Sequence, residues 1–322
     1  MSLPVVIAGA ALALASMAAA VPAWAAFPEK PVTLIVPFPA GGTMDTVARQ
    51  LAQGLSQSWR QPVIVENKPG AGTTIGTRQI AQSAPDGHTI GMVANSFAIN
   101  ASLLDELPYD TRADFAPVAL VAYTPHVLVA RQDLPVASVR DVLALAKAQP
   151  GQLSFASFGT GTSPHLAVEM LKQQAGVDVA HIPYKGQAPA LNDLLGGHVD
   201  LLFSNLPDVL PHLQSGRLQA VAVADAQRAA QLPDVPTLEE SGLPGFYSNS
   251  WFAVVAPAGV PADTLRAISS SIVEAVRTPS FTTFLSGHGL QAEPMAAEAF
   301  TPYLAAEIDK AATLIQETGA RQ

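Results

Sequence analysis

The chain has 322 residues, enough for two domains of ordinary size, and 49% of them are hydrophobic while only 13% are charged. With 27 prolines and 23 glycines, that composition describes compact, turn-rich domains and speaks against disorder or a coiled coil. A formal charge of −9 argues against nucleic acid as a partner and leaves any anionic ligand to local groups, and the absence of cysteine rules out disulfide and thiolate sites.

Residues 1–26 carry no charged side chain, and the run from Leu3 to Ala20 is broken only by Pro4, Gly9 and Ser16. Ala23-Trp24-Ala25 supplies small residues around a cleavage point. A signal peptide cleaved near Ala25 or Ala26 is expected, although no Lys or Arg precedes its apolar run; an uncleaved membrane anchor is the alternative. No cysteine follows to carry a lipid. No later stretch offers the roughly 18 uninterrupted apolar residues of a membrane helix. The expectation is an exported, periplasmic protein, working as a monomer.

From Phe27 onward strands and helices alternate. Val32–Val36 is a predicted strand, about Met44–Trp59 a helix, Val63–Glu66 a strand, Thr73–Ala84 a helix and His88–Val93 a strand, with a short helix from Phe97. Short apolar runs between helices predict a parallel sheet covered on both faces. Val118–Ala122 and Val127–Ala130 read as two strands separated by Tyr123-Thr124-Pro125. A second alternation follows: helix Ser138–Ala148, strand Leu153–Phe158, helix Pro164–Ala175, strand Val179–Pro183, helix Pro189–Leu195, strand Val199–Phe203, helix Val209–Gln214 and strand Gln219–Ala224. Strand Ser248–Ala256 leads back, and Pro261–Val276, Pro279–Leu285 and Ala296–Thr318 are predicted closing helices. The expected architecture is α/β. One domain is split between 27–125 and 250–322, 126–249 forms the second, and the two crossings make a hinge beside a cleft.

One loop type occurs twice. VTLIVPF runs into Pro39-Ala40-Gly41-Gly42-Thr43 and a helix, and LSFASF runs into Gly159-Thr160-Gly161-Thr162-Ser163 and a helix. Each ends at a helix N-terminus, where free N–H groups and a partial positive charge favour anions. Two such loops in two halves suggest a clamp for a small anion. Thr43 can cap its helix, and Asp45, which would repel a carboxylate, fits capping and dipole compensation better than ligand contact. Ser163 before Pro164 fits an N-cap pair, and His165 is either a ligand donor or a packed neutral histidine. Gly72, Thr73 and Thr74 lie in a third strand–loop–helix junction, whose spacing fails both the P-loop and the dinucleotide fingerprint. Lys185-Gly186, Ser96 after Asn95, and Ser204-Asn205 follow other strands, where ligands sit in open parallel sheets.

Catalytic patterns are weak. Ser163 and His165 are the alternative for a serine hydrolase, but His165 stands where G-x-S-x-G needs its last glycine. The seven histidines show no metal-ligand spacing, so neither a metal nor a cofactor is expected.

PFPAGGTMDTVAR, ENKPGAGTTIGT, LPYDTRADFAPVALVA, SFGTGTSPHLAVEML, HIPYKGQAPALNDLLGGHVDLLFSNLP, LPDVPTLEESGLPGF and SWFAVVAPAGVP, taken in order, resemble the Bug family. These are the extracytoplasmic solute-binding proteins of tripartite tricarboxylate transporters. The resemblance covers nearly the whole mature chain and implies a periplasmic-binding-protein-like fold of two α/β domains. It implies a non-enzymatic receptor that holds a small carboxylate between Pro39–Thr43 and Gly159–Ser163. Gly72–Thr74, Lys185-Gly186 and Ser204-Asn205 would complete the cleft, and membrane permease subunits or a sensor protein would be the partners. An inorganic oxyanion receptor is a further alternative.

Overall fold

In the computed structural model, which describes residues 27–320, the chain opens with β1 (Val32–Val36), α1 (Thr43–Trp59) and β2 (Val63–Asn67). A 3-10 turn (Ala71–Thr73), α2 (Thr74–Ala81), β3 (Thr89–Val93), α3 (Asn95–Leu103) and the long β4 (Phe115–Arg131) follow. Next come α4 (Val139–Ala148), β5 (Ser154–Ser157), α5 (Ser163–Ala175), β6 (Ala180–Pro183) and α6 (Gln187–Leu195). After β7 (Leu201–Asn205), α7 (Leu206–Gln214) and β8 (Leu218–Val223), the chain returns through β9 (Asn249–Pro257) to α8 (Ala262–Arg277), α9 (Pro279–Gly287), β10 (Gln291–Ala296) and α10 (Ala297–Thr318). The expected signal peptide lies outside the described residues.

The strands run in the order β2-β1-β3-β9-β4-β7-β5-β6, with β8 and β10 also paired to β4. The flanks, β2-β1-β3 and β7-β5-β6, are parallel, as the apolar runs predict. The centre differs, because β9 and β4 pair antiparallel with their neighbours. Alternate residues of each strand serve opposite faces. In the first lobe Leu34 and Val36 join Leu51, Phe252 and Ile272 on one side, while Ile35 joins Phe97, Trp251 and Phe300 on the other. In the second lobe Leu128 packs with Phe155, Phe203 and Phe246, and Val127 and Val129 with Leu194, Leu202 and Val209.

β4 corrects a sequence expectation. Tyr123-Thr124-Pro125 does not separate two strands; the strand is continuous over 17 residues. Pro125 sits opposite Asn249 of β9, and the next residue, His126, sits opposite Asn205 of β7. Proline cannot donate to a ladder, and here it falls where the strand changes partners, so no central ladder is broken. β10 was not anticipated, since QAEPMA lacks an alternating pattern, and its pairing with β4 shifts register between Ala292 and Met295. The helix predicted from Thr73 begins one residue later, because Thr73 itself has φ 81°, outside helical space. Ser204 and Asn205 end β7 rather than follow it. Among the described residues no helix is long and apolar enough to cross a membrane.

The third junction is anchored tightly. A Cβ on Gly76 of α2 would stand 2.7 Å from the Lys68 carbonyl oxygen and 2.8 Å from Pro37 Cβ. Gly76→Ala is therefore expected to cost about 1–3 kcal/mol by overpacking, measured as a lower urea midpoint. An unchanged midpoint would show that α2 and the Pro37 loop are not wedged together.

Candidate functional site

The β1–α1 loop is held from beneath by Asp45. Its carboxylate accepts from Gly41 N at 3.1 Å, Arg49 Nε at 2.9 Å and Asn67 Nδ2 at 3.0 Å. Burial alone would raise its pKa, but the hydrogen bonds from Arg49, Gly41 and Asn67 outweigh it and hold the carboxyl below its ordinary range. Asp45 thus fixes the loop, in agreement with its structural role in the sequence. Thr43 does not cap α1, which has no side-chain cap. Its hydroxyl instead donates to Asp208 at the start of α7, in the opposite lobe.

The β5–α5 loop is built differently. Thr162 Oγ1 donates to the Gly159 carbonyl at 2.6 Å. Thr162, not Ser163, stands at the N-cap of α5, and no side chain caps that helix. Ser163 Oγ instead lies 3.4 Å from Nε2 of His126. His165 turns away behind the loop, accepts weakly from Gly161 N at 3.4 Å and stacks on His181 with ring centroids 4.4 Å apart. Ser163 and His165 therefore form no nucleophile–base pair. Burial holds His126 at a pKa of about 3 and His181 at about 4, and lowers His165 as well.

The two loops face each other across a cavity of about 610 Å³, within the range of small-molecule sites. Gly72, Thr73, Thr162, Lys185 and Gly186 line it, with Phe38, Phe158, Thr160 and Tyr184. A smaller space of about 50 Å³, which shares Phe38, Pro39 and Phe158 with it, is lined by Ala40, Gly42, Thr43 and Asn205, with Gln187 and Phe252. The lobes touch. A Cβ on Gly186 would meet Pro39 Cγ at 2.9 Å, one on Gly72 would meet the Thr160 carbonyl at 3.0 Å, and Asn205 Nδ2 donates to Thr43 Oγ1 at 3.3 Å.

Other expected residues stand outside these two spaces. Thr74 Oγ1 is tied to the Ala71 carbonyl, Ser96 Oγ accepts from Thr73 Oγ1, and Ser204 Oγ accepts from Gln187 Nε2 at 2.7 Å. Gly41 is engaged with Asp45. Gly161 has φ 79° and packs against Asn100. Ser163 lines a separate space of about 70 Å³ beside Trp251 and Glu307. Sequence reasoning missed Gln187 and Asp208, whose positions at the starts of α6 and α7 were the available signal. It also missed that His165, Glu169 and His181 converge, although His165 and Glu169 are one helical turn apart on α5.

Residues 47–320 match the family model described as the tripartite tricarboxylate transporter family receptor. The chain is 38% identical over 315 residues to protein BugT of Bordetella pertussis, covering 97% of this chain and 96% of that protein. Its fold is similar to R. palustris Rpa4515 with adipate, at TM-score 0.88 and 32% identity over 91% of this chain and 98% of that one. It is similar also to MatC from Rhodopseudomonas palustris with bound malate, at TM-score 0.85 and 30% identity over 90% of this chain and 100% of that one.

Asp208 gives the cleft a pH signature. The residue is partly exposed, but its carboxyl group turns inward to Thr43 and Asn205, and burial pushes its pKa from 3.8 up to about 6. It therefore holds its proton more firmly folded than unfolded, so its contribution to stability is full below about pH 4 and lost as pH rises through about 6. Asp208→Asn is expected to match the parent near pH 4 and to exceed it by about 1–2 kcal/mol near pH 8, allowing for partial exposure. Urea titrations at the two pH values measure this, and equal differences at both would remove the buried-carboxyl account.

Proposed function

The chain belongs to the tripartite tricarboxylate transporter receptor family, and from that premise we propose that it captures a small organic carboxylate and hands it to membrane permease subunits or a sensor. The receptors of this family are periplasmic solute-binding proteins. The carrying observation is the convergence of α1, α5 and α6 on one cleft with no side chain capping their first turns. Other helices, α8 and α10 among them, also lack a side-chain cap, so it is the convergence of three such termini on one cavity that carries the reading. Unpaired N–H groups and helix dipoles match carboxylate oxygens without a buried cation. Lys185 is exposed at the cavity wall and supplies the nearest positive charge.

In this proposal Ala40, Gly42 and Thr43 meet the ligand from one lobe and Thr162, Gly186 and Asn205 from the other. Gly72 and Thr73 close the side. The lobes correspond to 27–125 plus 250–322 and to 126–249, with β4 and β9 as the hinge, and the signal peptide is cleaved near Ala25 or Ala26, so that the mature monomer begins near Phe27. A cavity of about 610 Å³ has room well beyond an inorganic oxyanion. The adipate and malate held by the two R. palustris proteins favour small dicarboxylates as the first to screen. Catalysis is not part of the proposal, because Ser163 faces a histidine with pKa about 3 and no carboxylate orients that ring.

Calorimetry against mono- and dicarboxylates, aromatic acids included, is expected to find at least one ligand with Kd of about 1 μM, near −8 kcal/mol. Tight phosphate or sulfate binding with no carboxylate bound would replace the proposal by an oxyanion receptor.

Two variants test the clamp. Gly42 has φ −92° and open space where its Cβ would be, so Gly42→Val should fold normally and obstruct the cleft. A Cβ on Gly161 would stand 2.2 Å from Asn100 Oδ1 of the first lobe, where the two lobes touch beside the cleft. Gly161→Ala should therefore oppose closure and weaken binding at least about tenfold, or 1.4 kcal/mol. Parent-like binding by the Gly161 variant, with cooperative melting in both, would remove the second lobe's loop from the site.

A further inference from the structure

Behind the second-lobe loop, three side chains with metal-binding donors come together. His165 and Glu169 lie on the same face of α5, and His181 is the second residue of β6. One nitrogen of each ring and a Glu169 oxygen lie within 4.8 Å of one another. His165 is buried, and the other two are partly buried. Each ring is already oriented by a contact to one nitrogen. His181 Nε2 pairs with Ser157 Oγ at 2.7 Å, and His165 Nδ1 accepts from Gly161 N at 3.4 Å. Among the described residues, neither ring's other nitrogen makes a hydrogen bond.

We propose that His165, Glu169 and His181 form a binding site for a divalent transition-metal ion of the zinc class, fastening α5 to β6 behind the cleft. Two imidazoles and one carboxylate with a fourth position left to water are a donor set suited to Zn²⁺. Tetrahedral bonds of about 2.0–2.2 Å bring donor atoms to about 3.5 Å from one another, so the two rings leave their stack and converge on the ion. The Ser157 hydroxyl can keep its contact to His181 Nε2 while Nδ1 ligates, which fixes that ring's tautomer.

Lys172 opposes the ion. Its Nζ lies 3.1 Å from one Glu169 oxygen and 3.0 Å from the other. A metal must displace this ammonium, so the ion pair sets the threshold for occupancy. Occupancy also changes the cleft loop. Ligation through His165 Nδ1 consumes the lone pair that accepts from Gly161, and ligation through Nε2 leaves the proton on Nδ1. Either mode releases the Gly161 N–H. Because α5 begins in that loop and β6 runs into Tyr184-Lys185-Gly186, the ion would join two segments that line the cavity. None of this depends on which ligand the cleft takes.

The test is titration of ZnCl₂ into tag-free, chelator-treated protein with no carboxylate present, followed by calorimetry and thermal melting. One saturable site and a raised melting temperature are expected. His181→Ala and the shape-preserving Glu169→Gln should each weaken binding by at least about tenfold. Lys172→Ala should bind more tightly than the parent, a response that a purely structural ion pair would not give. His198→Ala, an exposed histidine elsewhere, should change nothing. No saturable binding to the parent, or parent-like binding by both His181→Ala and Glu169→Gln, overturns the site.

Discussion

The whole arrangement depends on one strand that belongs to two sheets. At the step from Pro125 to His126, β4 leaves β9 and joins β7 and β8. His126 is fully buried there, with Nδ1 2.8 Å from Ser248 Oγ and Nε2 3.0 Å from Ser250 Oγ. A buried imidazole is costly unless both nitrogens are paired. Serine hydroxyls can donate or accept, so they satisfy either neutral tautomer. The contact thereby ties the outgoing crossing to the returning one. Both crossings are short, and both lobes hang from them. The strand termini that carry β1–α1 and β5–α5 can face each other only because this junction fixes the relation of the two sheets.

The two facing loops look alike in sequence but are held by unlike means. Asp45, Asn67 and Arg49 secure the first with charge-assisted bonds. The second relies on neutral contacts, from Thr162 to the Gly159 carbonyl and from Gly161 to His165. A carboxylate is tolerable under the first loop because Asp45 is committed to Arg49, Gly41 and Asn67 and projects no free charge into the cleft. The second loop makes no charge-assisted bond of this kind; the Glu169–Lys172 ion pair lies behind His165 and does not bond the loop itself.

Much of the fold was legible because buried parallel strands are continuous apolar runs between amphipathic helices. β1, β3 and β7 carry that signal, and so does α1, whose buried Val47, Ala48, Leu51, Ala52 and Leu55 follow helical spacing. The cleft loops were legible as glycine-rich strand ends. What escaped depends on distant partners. The Thr43 hydroxyl ignores its own helix for Asp208, 165 residues away, and Ser163 finds His126, 37 residues away. Local capping rules fail for both, because the partner comes from far along the chain, across the lobes for Thr43 and within the second lobe for Ser163. β10 escaped because a partly exposed strand with glutamate and proline has no hydrophobic period to show.

The charge pattern explains why such a cleft would be built from backbone. A lysine or arginine buried between closing lobes would be stripped of water each time they met without a ligand, at a cost of several kcal/mol. Helix N–H groups carry only fractional charge and are hydrated at little cost when the lobes part. The lobes here touch along Gly186 and Pro39, Gly72 and Thr160, and Thr43 and Asp208, and no cationic side chain is trapped among those pairs. Asp208 is the instructive exception. Its carboxyl group does enter the interface, and burial shifts it towards its neutral form. An interface between touching lobes thus admits dipoles and protonatable groups more readily than fixed charges, which keeps Lys185 exposed at the cavity wall and leaves the touching pairs themselves to backbone, hydroxyl and carboxyl groups.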